Sequence, residues 1–131
     1  MVELITENRV RLLEALEEIE PRMIMSFSPL QVKRIEARQL RVIVNAQQLR
    51  NTPTNFPGEW WVRTNNKVHA KIALGDKGFI VGSWNFSDHS TQTLHECVVV
   101  FQNEEACVVR RGLVEYFDRI WERSSELKSS K

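Results

Sequence analysis

The residues with the most chemistry per unit length lie in Val68 to Phe86, VHAKIALGDKGFIVGSWNF. His69 and Lys71 stand two apart in a segment, 67–74, that reads as a strand, so their side chains share one face while Val68, Ala70 and Ile72 take the other. One face is packed and the other is chemical. After a turn at Gly75-Asp76-Lys77-Gly78, the second strand closes with Gly82-Ser83-Trp84-Asn85, small or hydrogen-bonding residues where a bulky side chain would obstruct a ligand. A neutral imidazole attacks an electrophile or accepts a proton near neutral pH, because its unperturbed pKa is about 6.5. Lys71 adds a positive charge, and Ser83 and Asn85 add donors for oxyanions. The set suits a phosphodiester whose negative charge grows in the transition state. No second His, Cys or carboxylate cluster stands at a metal-ligand spacing, so neither a metal nor a cofactor is expected.

The chain that must position these residues is 131 long, with 42% hydrophobic residues and only 5 Gly and 4 Pro, which excludes disordered and collagen-like classes. Its length fits one domain, 1–131, able to bury a core without disulfides or a structural metal. No apolar run reaches the length of a membrane span, and residues 1–20 alternate charged and apolar positions rather than forming a signal-peptide core. A soluble protein without a membrane anchor, in the cytoplasm, is expected. Cys97 and Cys107 lack CxxC spacing and read as reduced, buried thiols.

Net charge is +1, but its distribution is uneven. Residues 1–20 hold two Arg and six Glu, whereas residues 21–90 hold ten Lys or Arg against four acids, a surplus that suits an anionic ligand such as a phosphate ester or equally an ordinary solvated surface.

Hydrophobic periodicity predicts a helix over 7–20, with Val10, Leu13, Leu16 and Ile19 on one face, Thr6 as N-cap and Pro21 just past the end. Arg22 to Ser28 and Leu40 to Ala46 read as strands, with a helix between them over Pro29 to Arg38. Residues 47–58 form a long loop; strands follow at 59–64, 67–74 and 78–81, a hairpin joining the last two. Glu96 to Phe101 is a last strand, and Glu104 to Arg123 a helix with Ala106, Val109, Leu113, Phe117 and Ile120 on one face. The polar tail, 124–131, is expected to fray. The pattern defines an α/β fold, a mixed sheet flanked by helices.

With those elements in place, the motif resembles the signature of the phospholipase D superfamily, HxKx4D followed closely by GSxN. His69, Lys71 and Asp76 match the first part, and Gly82, Ser83 and Asn85 the second, with five residues between Asp76 and Gly82 where the family usually has six. The resemblance covers most of the chain. The family's smallest nucleases also open with a helix and a strand ending like Ser26-Phe27-Ser28, and close with an acidic residue, here Glu96, entering a Val-rich strand before a long helix. The region after Ala46 is shorter than in relatives, which usually carry another helix and strand there.

The resemblance implies a mechanism. Family members pair two motifs across a twofold axis, one His forming a phosphohistidine and the other protonating the leaving oxygen. A chain with one motif is then expected to form a homodimer in which His69 of one protomer is the nucleophile and the partner's His69 the general acid. Lys71 and Asn85 would hold nonbridging oxygens, Ser83 would support them and the backbone, and Glu96 would accept a hydrogen bond from an imidazole. Asp76 and Gly82 would be structural. Trp84, at the variable position, would edge the pocket or stack on a base. His89 and His95 read as surface or turn residues, and at least one of the adjacent Trp60 and Trp61 as core.

The expected activity is metal-independent phosphodiester cleavage, by an endonuclease acting on DNA or RNA, because the chain is small, has a basic middle and shows no membrane-anchoring helix. A phospholipid phosphodiesterase, a non-catalytic nucleic-acid-binding module and an excised part of a larger restriction or repair system are the alternatives.

Overall fold

The computed structural model describes residues 2–26, 39–45, 56, 59–83, 95–102 and 107–128. The predicted helix over Pro29 to Arg38, and the 47–58 loop apart from Phe56, lie outside these residues, as do Trp84, Asn85 and His89.

Eight strands form one mixed sheet: β1 Val2–Thr6, β2 Pro21–Met25, β3 Arg41–Val44, β4 Trp61–Thr64, β5 Lys71–Gly75, β6 Gly78–Gly82, β7 Cys97–Gln102 and β8 Ser125–Lys128. Their spatial order is β1-β7-β6-β5-β2-β3-β4-β8, in which β2, β3 and β4 are parallel and every other pairing is antiparallel. Helix α1, Arg9–Glu18, and helix α2, Cys107–Glu122, pack on opposite faces.

The alternation of the strands explains this division, since successive side chains feed opposite faces. Ile24, Val42, Val62, Ala73, Ile80, Val98 and Val100 form a core with Leu12, Ala15, Leu16 and Ile19 of the α1 segment. Their neighbours Met25, Ile43, Ile72, Leu74 and Phe79 meet Phe117, with Leu113, Val114 and Ile120 alongside. Phe79 and Phe101, opposite each other across β6 and β7, stack at 4.6 Å. Trp60 is fully buried and stacks on Phe56 at 6.3 Å, as expected for one of the tryptophan pair.

Several local expectations are corrected. The first helix starts later, because residues 2–6 are taken by edge strand β1; Thr6 pairs with Cys97, and Asn8 is the N-cap, its Oδ1 accepting from the Arg11 N–H at 3.0 Å. Arg11 then bridges Glu3 of β1 at 2.6 Å and Glu18 at 2.9 Å, fastening the helix to the edge strand. The predicted stripe of α2 holds at Leu113, Phe117 and Ile120, which pack on the sheet, but Val109, nearer the start of the helix, is exposed. Arg41 lies over the rings of Phe117 and Trp121 and Arg63 over Trp121 at 4.4 Å, so the sheet's own cations hold the helix. The tail does not fray at Ser124: residues 125–128 add β8 to the edge at β4. Cys97 is exposed, not buried, because it opens β7 at the rim of the sheet and its neighbour Val98 takes the core position. No helix among the described residues is long and apolar enough to cross a membrane.

Candidate functional site

The sheet's topology gathers the ends of the strands that carry the motif at one rim. The carboxyl ends of parallel β2, β3 and β4 lie there, together with the start of β5, the end of β6 and the start of β7. Such a rim is where open α/β sheets place their ligands. Lys71 begins β5, Ser83 follows β6 and Glu96 precedes β7, so three of the motif side chains emerge at this rim. His69 stands two residues before β5, exposed to solvent.

The strand expected to carry His69 is therefore shorter than predicted, and a tethered connection replaces its first residues. Asn65 makes a turn in which its Oδ1 accepts from the Lys67 N–H at 3.0 Å, and its carbonyl accepts from the Val68 N–H at 3.3 Å. Asn45, just past β3, donates from Nδ2 to the carbonyls of Asn66 and Val68, both at 3.2 Å. Val68 is buried and anchors the connection in the core beneath α2. The alternation still holds across it: Val68 and Ala70 face the α2 core, and His69 is turned away.

Lys71 is buried, with 6% of its surface exposed, and its Nζ donates to the carbonyl oxygen of His69 at 2.5 Å. Burial pulls its ammonium below the usual lysine range, and the negative charge of Glu96 opposes that shift. Glu96, partly buried, thus faces the lysine electrostatically. Ser83 closes the β6–β7 ladder: its N–H donates to the Cys97 carbonyl at 3.0 Å, and its Oγ stands 3.3 Å from both the N–H and the carbonyl of Cys97. Gly82 pairs with Lys71 on one side and Val98 on the other. A Cβ at Gly82 would meet the Cys97 carbonyl and stand 2.6 Å from the Val98 Cα, so the glycine lets two backbones approach rather than leaving room for a ligand.

Asp76 occupies the opposite rim. It sits in the β5–β6 turn, roughly 15 Å from Lys71 along the strand. Its carboxylate accepts from Arg22 Nη2 at 2.6 Å and Nε at 2.9 Å, and the Arg22 hydrogen bond holds its pKa below the usual range. The N–H groups of Asp76 and Lys77 donate to the carbonyls of Glu20 and Ile19, while Arg110 of α2 donates to those of Gly75 and Gly78. Through these bonds Asp76 fastens the hairpin to the start of β2.

His95 is exposed and stands 3.4 Å from Glu7, outside the cluster. Sequence reasoning missed Asn45, Arg22 and Arg110, which position the motif; their signal was a polar residue ending a β-branched run and arginines whose partners are distant in sequence. Part of the central positive charge is engaged within the fold: Arg22, Arg41 and Lys77 face carboxylates and Arg63 covers Trp121.

Comparison with solved structures defines the class. The chain superposes on Nuc from Salmonella typhimurium, a phospholipase D family member, with a TM-score of 0.76 and 16% identity over 98% of this chain and 99% of that one. NucT from Helicobacter pylori gives 0.73 and 16% over 97% and 99%. TrmBL2, an archaeal chromatin protein whose structure shows a novel mode of DNA binding, gives 0.66 and 12% over 96% of this chain and 54% of that one. No protein-family model matches the sequence, and no curated protein matches it. The fold is phospholipase D-like, in a single small α/β unit with a mixed eight-stranded sheet.

Proposed function

We propose that the protein is a metal-independent phosphodiesterase, an endonuclease that cleaves nucleic acid through a phosphohistidine at a site shared by two copies of the chain. The observation that carries this reading is the rim cluster: an exposed His69, a buried Lys71 bonded to the His69 backbone, and Glu96 within electrostatic reach of that lysine. Likeness in fold to Nuc and NucT supports the same reading.

The His69 imidazole attacks phosphorus as the bond to the leaving oxygen breaks, and the partner's His69 gives that oxygen its proton. Lys71 and Asn85 stabilise charge on the nonbridging oxygens, and Ser83 supports the backbone around them. The partner's His69, left neutral by that step, then takes a proton from water, whose oxygen displaces His69 from phosphorus and leaves a phosphomonoester. Two copies are needed because one motif supplies one imidazole.

Cleavage of labelled single- and double-stranded DNA and RNA in excess EDTA, with wild type beside His69→Ala, tests the proposal. Cleavage that the substitution abolishes is expected. A folded wild type that binds but cleaves none of the four would leave a nucleic-acid-binding module instead, and hydrolysis confined to liposomes a lipid phosphodiesterase.

A further inference from the structure

A cavity of about 460 Å³ opens between the β4–β5 connection and the last turns of α2, at the same rim of the sheet. Its lining includes Lys67, Arg123 and Tyr116, with the polar side chains of Thr64, Asn65 and Ser125, and contains no carboxylate among the described residues. Arg11, Arg22, Arg41 and Lys77 each stand within ion-pair distance of Asp or Glu, whereas neither Lys67 nor Arg123 has a carboxylate partner among the described residues. Two positive charges that line a concave polar site and have no carboxylate partner among the described residues attract an anion. Tyr116 adds a ring on which a base can stack, and the volume falls in the range of small-ligand sites.

Position links this cavity to the proposed chemistry. Lys67 precedes His69 by two residues, so the two backbones lie within about 7 Å of each other. Val68, between them, is shared by the cavity lining and the core, which makes the spacing rigid.

We propose that this cavity is a second phosphate subsite, holding a nucleotide of the nucleic-acid strand adjacent to the scissile phosphate, with Lys67 and Arg123 on its phosphate and Tyr116 against its base. The proposal rests on the reading of the rim as a nucleic-acid site and extends it by naming where the strand runs: toward the carboxyl end of α2.

The test is fluorescence anisotropy in EDTA with a labelled single-stranded DNA dodecamer and a labelled dinucleotide, using the full chain carrying His69→Ala to prevent turnover. Lys67→Glu and Arg123→Glu are each expected to weaken dodecamer binding by about tenfold or more at low salt, and removal of each contact to lower the salt slope by about one. Lys67→Arg and Arg123→Lys should keep binding within about threefold of the parent, and thermal melts establish that all variants are folded. Unchanged dodecamer affinity and salt slope in both charge reversals would overturn the proposal, as would equal losses for the dodecamer and for inorganic phosphate competing alone, which would mark a free-anion site. Cleavage by wild type in EDTA is followed separately: binding losses without any wild-type cleavage leave the subsite standing and remove the enzyme, whereas cleavage with unaltered binding in the variants does the reverse.

Discussion

The Lys71 ammonium donates to the carbonyl oxygen of His69 at 2.5 Å, so the cation of the motif holds the backbone of its own nucleophile candidate. This bond couples the two residues in a way their spacing alone does not require. The lysine is buried to do it, and burial disfavours its charge. On the proposed mechanism, a group that costs stability where it stands supplies its charge at the rim.

Lys71→Met is therefore expected to separate stability from activity. Loss of a charge poised at the reacting phosphate should lower kcat by about a thousandfold, while removal of a buried cation should stabilise the fold by about 1 kcal/mol. Because the folded chain binds the Lys71 proton less tightly than the unfolded chain does, stability should rise with pH from the lowered folded value toward the ordinary lysine value of 10.5. Urea denaturation of wild type and variant from pH 7 to 10.5 measures both effects, and the variant should lose that part of the rise.

Asp76→Asn should do the opposite. Its pairing with Arg22 is about half exposed, so solvent screening limits the loss to about 0.5 kcal/mol. Since the pairing lowers the folded pKa, this contribution is present above the unfolded value and disappears as pH falls through the folded one, below about pH 4. Cleavage by the variant at neutral pH should remain within about threefold of wild type, the ordinary consequence of a surface ion pair remote from the site.

Two glycine substitutions provide a paired test of the backbone argument. Gly82→Ala forces a Cβ into the β7 backbone and should cost about 1–3 kcal/mol. Gly112→Ala, on the exposed side of α2 with no atom within 4 Å of the added Cβ, should gain up to about 1 kcal/mol from helix propensity. Thermal melts of the two variants should move in opposite directions.

A shared site makes two further demands on solution behaviour. Two identical histidines in opposite protonation states give a bell-shaped dependence of kcat on pH. Mixing wild type with excess His69→Ala, after subunits have exchanged, should reduce activity per wild-type chain, because mixed dimers lack one imidazole. Activity independent of the added variant would argue for a site complete in one chain.

Much of the frame was legible because period-2 alternation and the two long amphipathic segments each matched their environment. The hairpin carrying the motif was read from the turn Gly75-Asp76-Lys77-Gly78 between two strand-like segments, and β7 from its valines. What stayed hidden depended on partners far away in sequence. VELIT looked like the approach to a helix, since Val2 and Leu4 are exposed and its strand character comes from pairing with β7. Ser125 to Lys128, SELK, has little intrinsic strand preference and is ordered by the edge of β4. In the site, residue types and spacing pointed to His69, Lys71 and Ser83, and the family resemblance to Glu96, but neither pointed to Asn45 tying down the connection before β5, nor to the lysine's bond to the histidine backbone.

The most direct test of the central claim is to trap the covalent intermediate. Wild-type protein mixed with an oligonucleotide radiolabelled at its internal phosphates, quenched in alkali during turnover and digested, should yield one labelled peptide, with the phosphoryl group on His69 and the label lost on acid treatment. His69→Ala should yield none. Turnover by a wild type that never carries label on His69, or an adduct formed equally well by His69→Ala, would contradict the account.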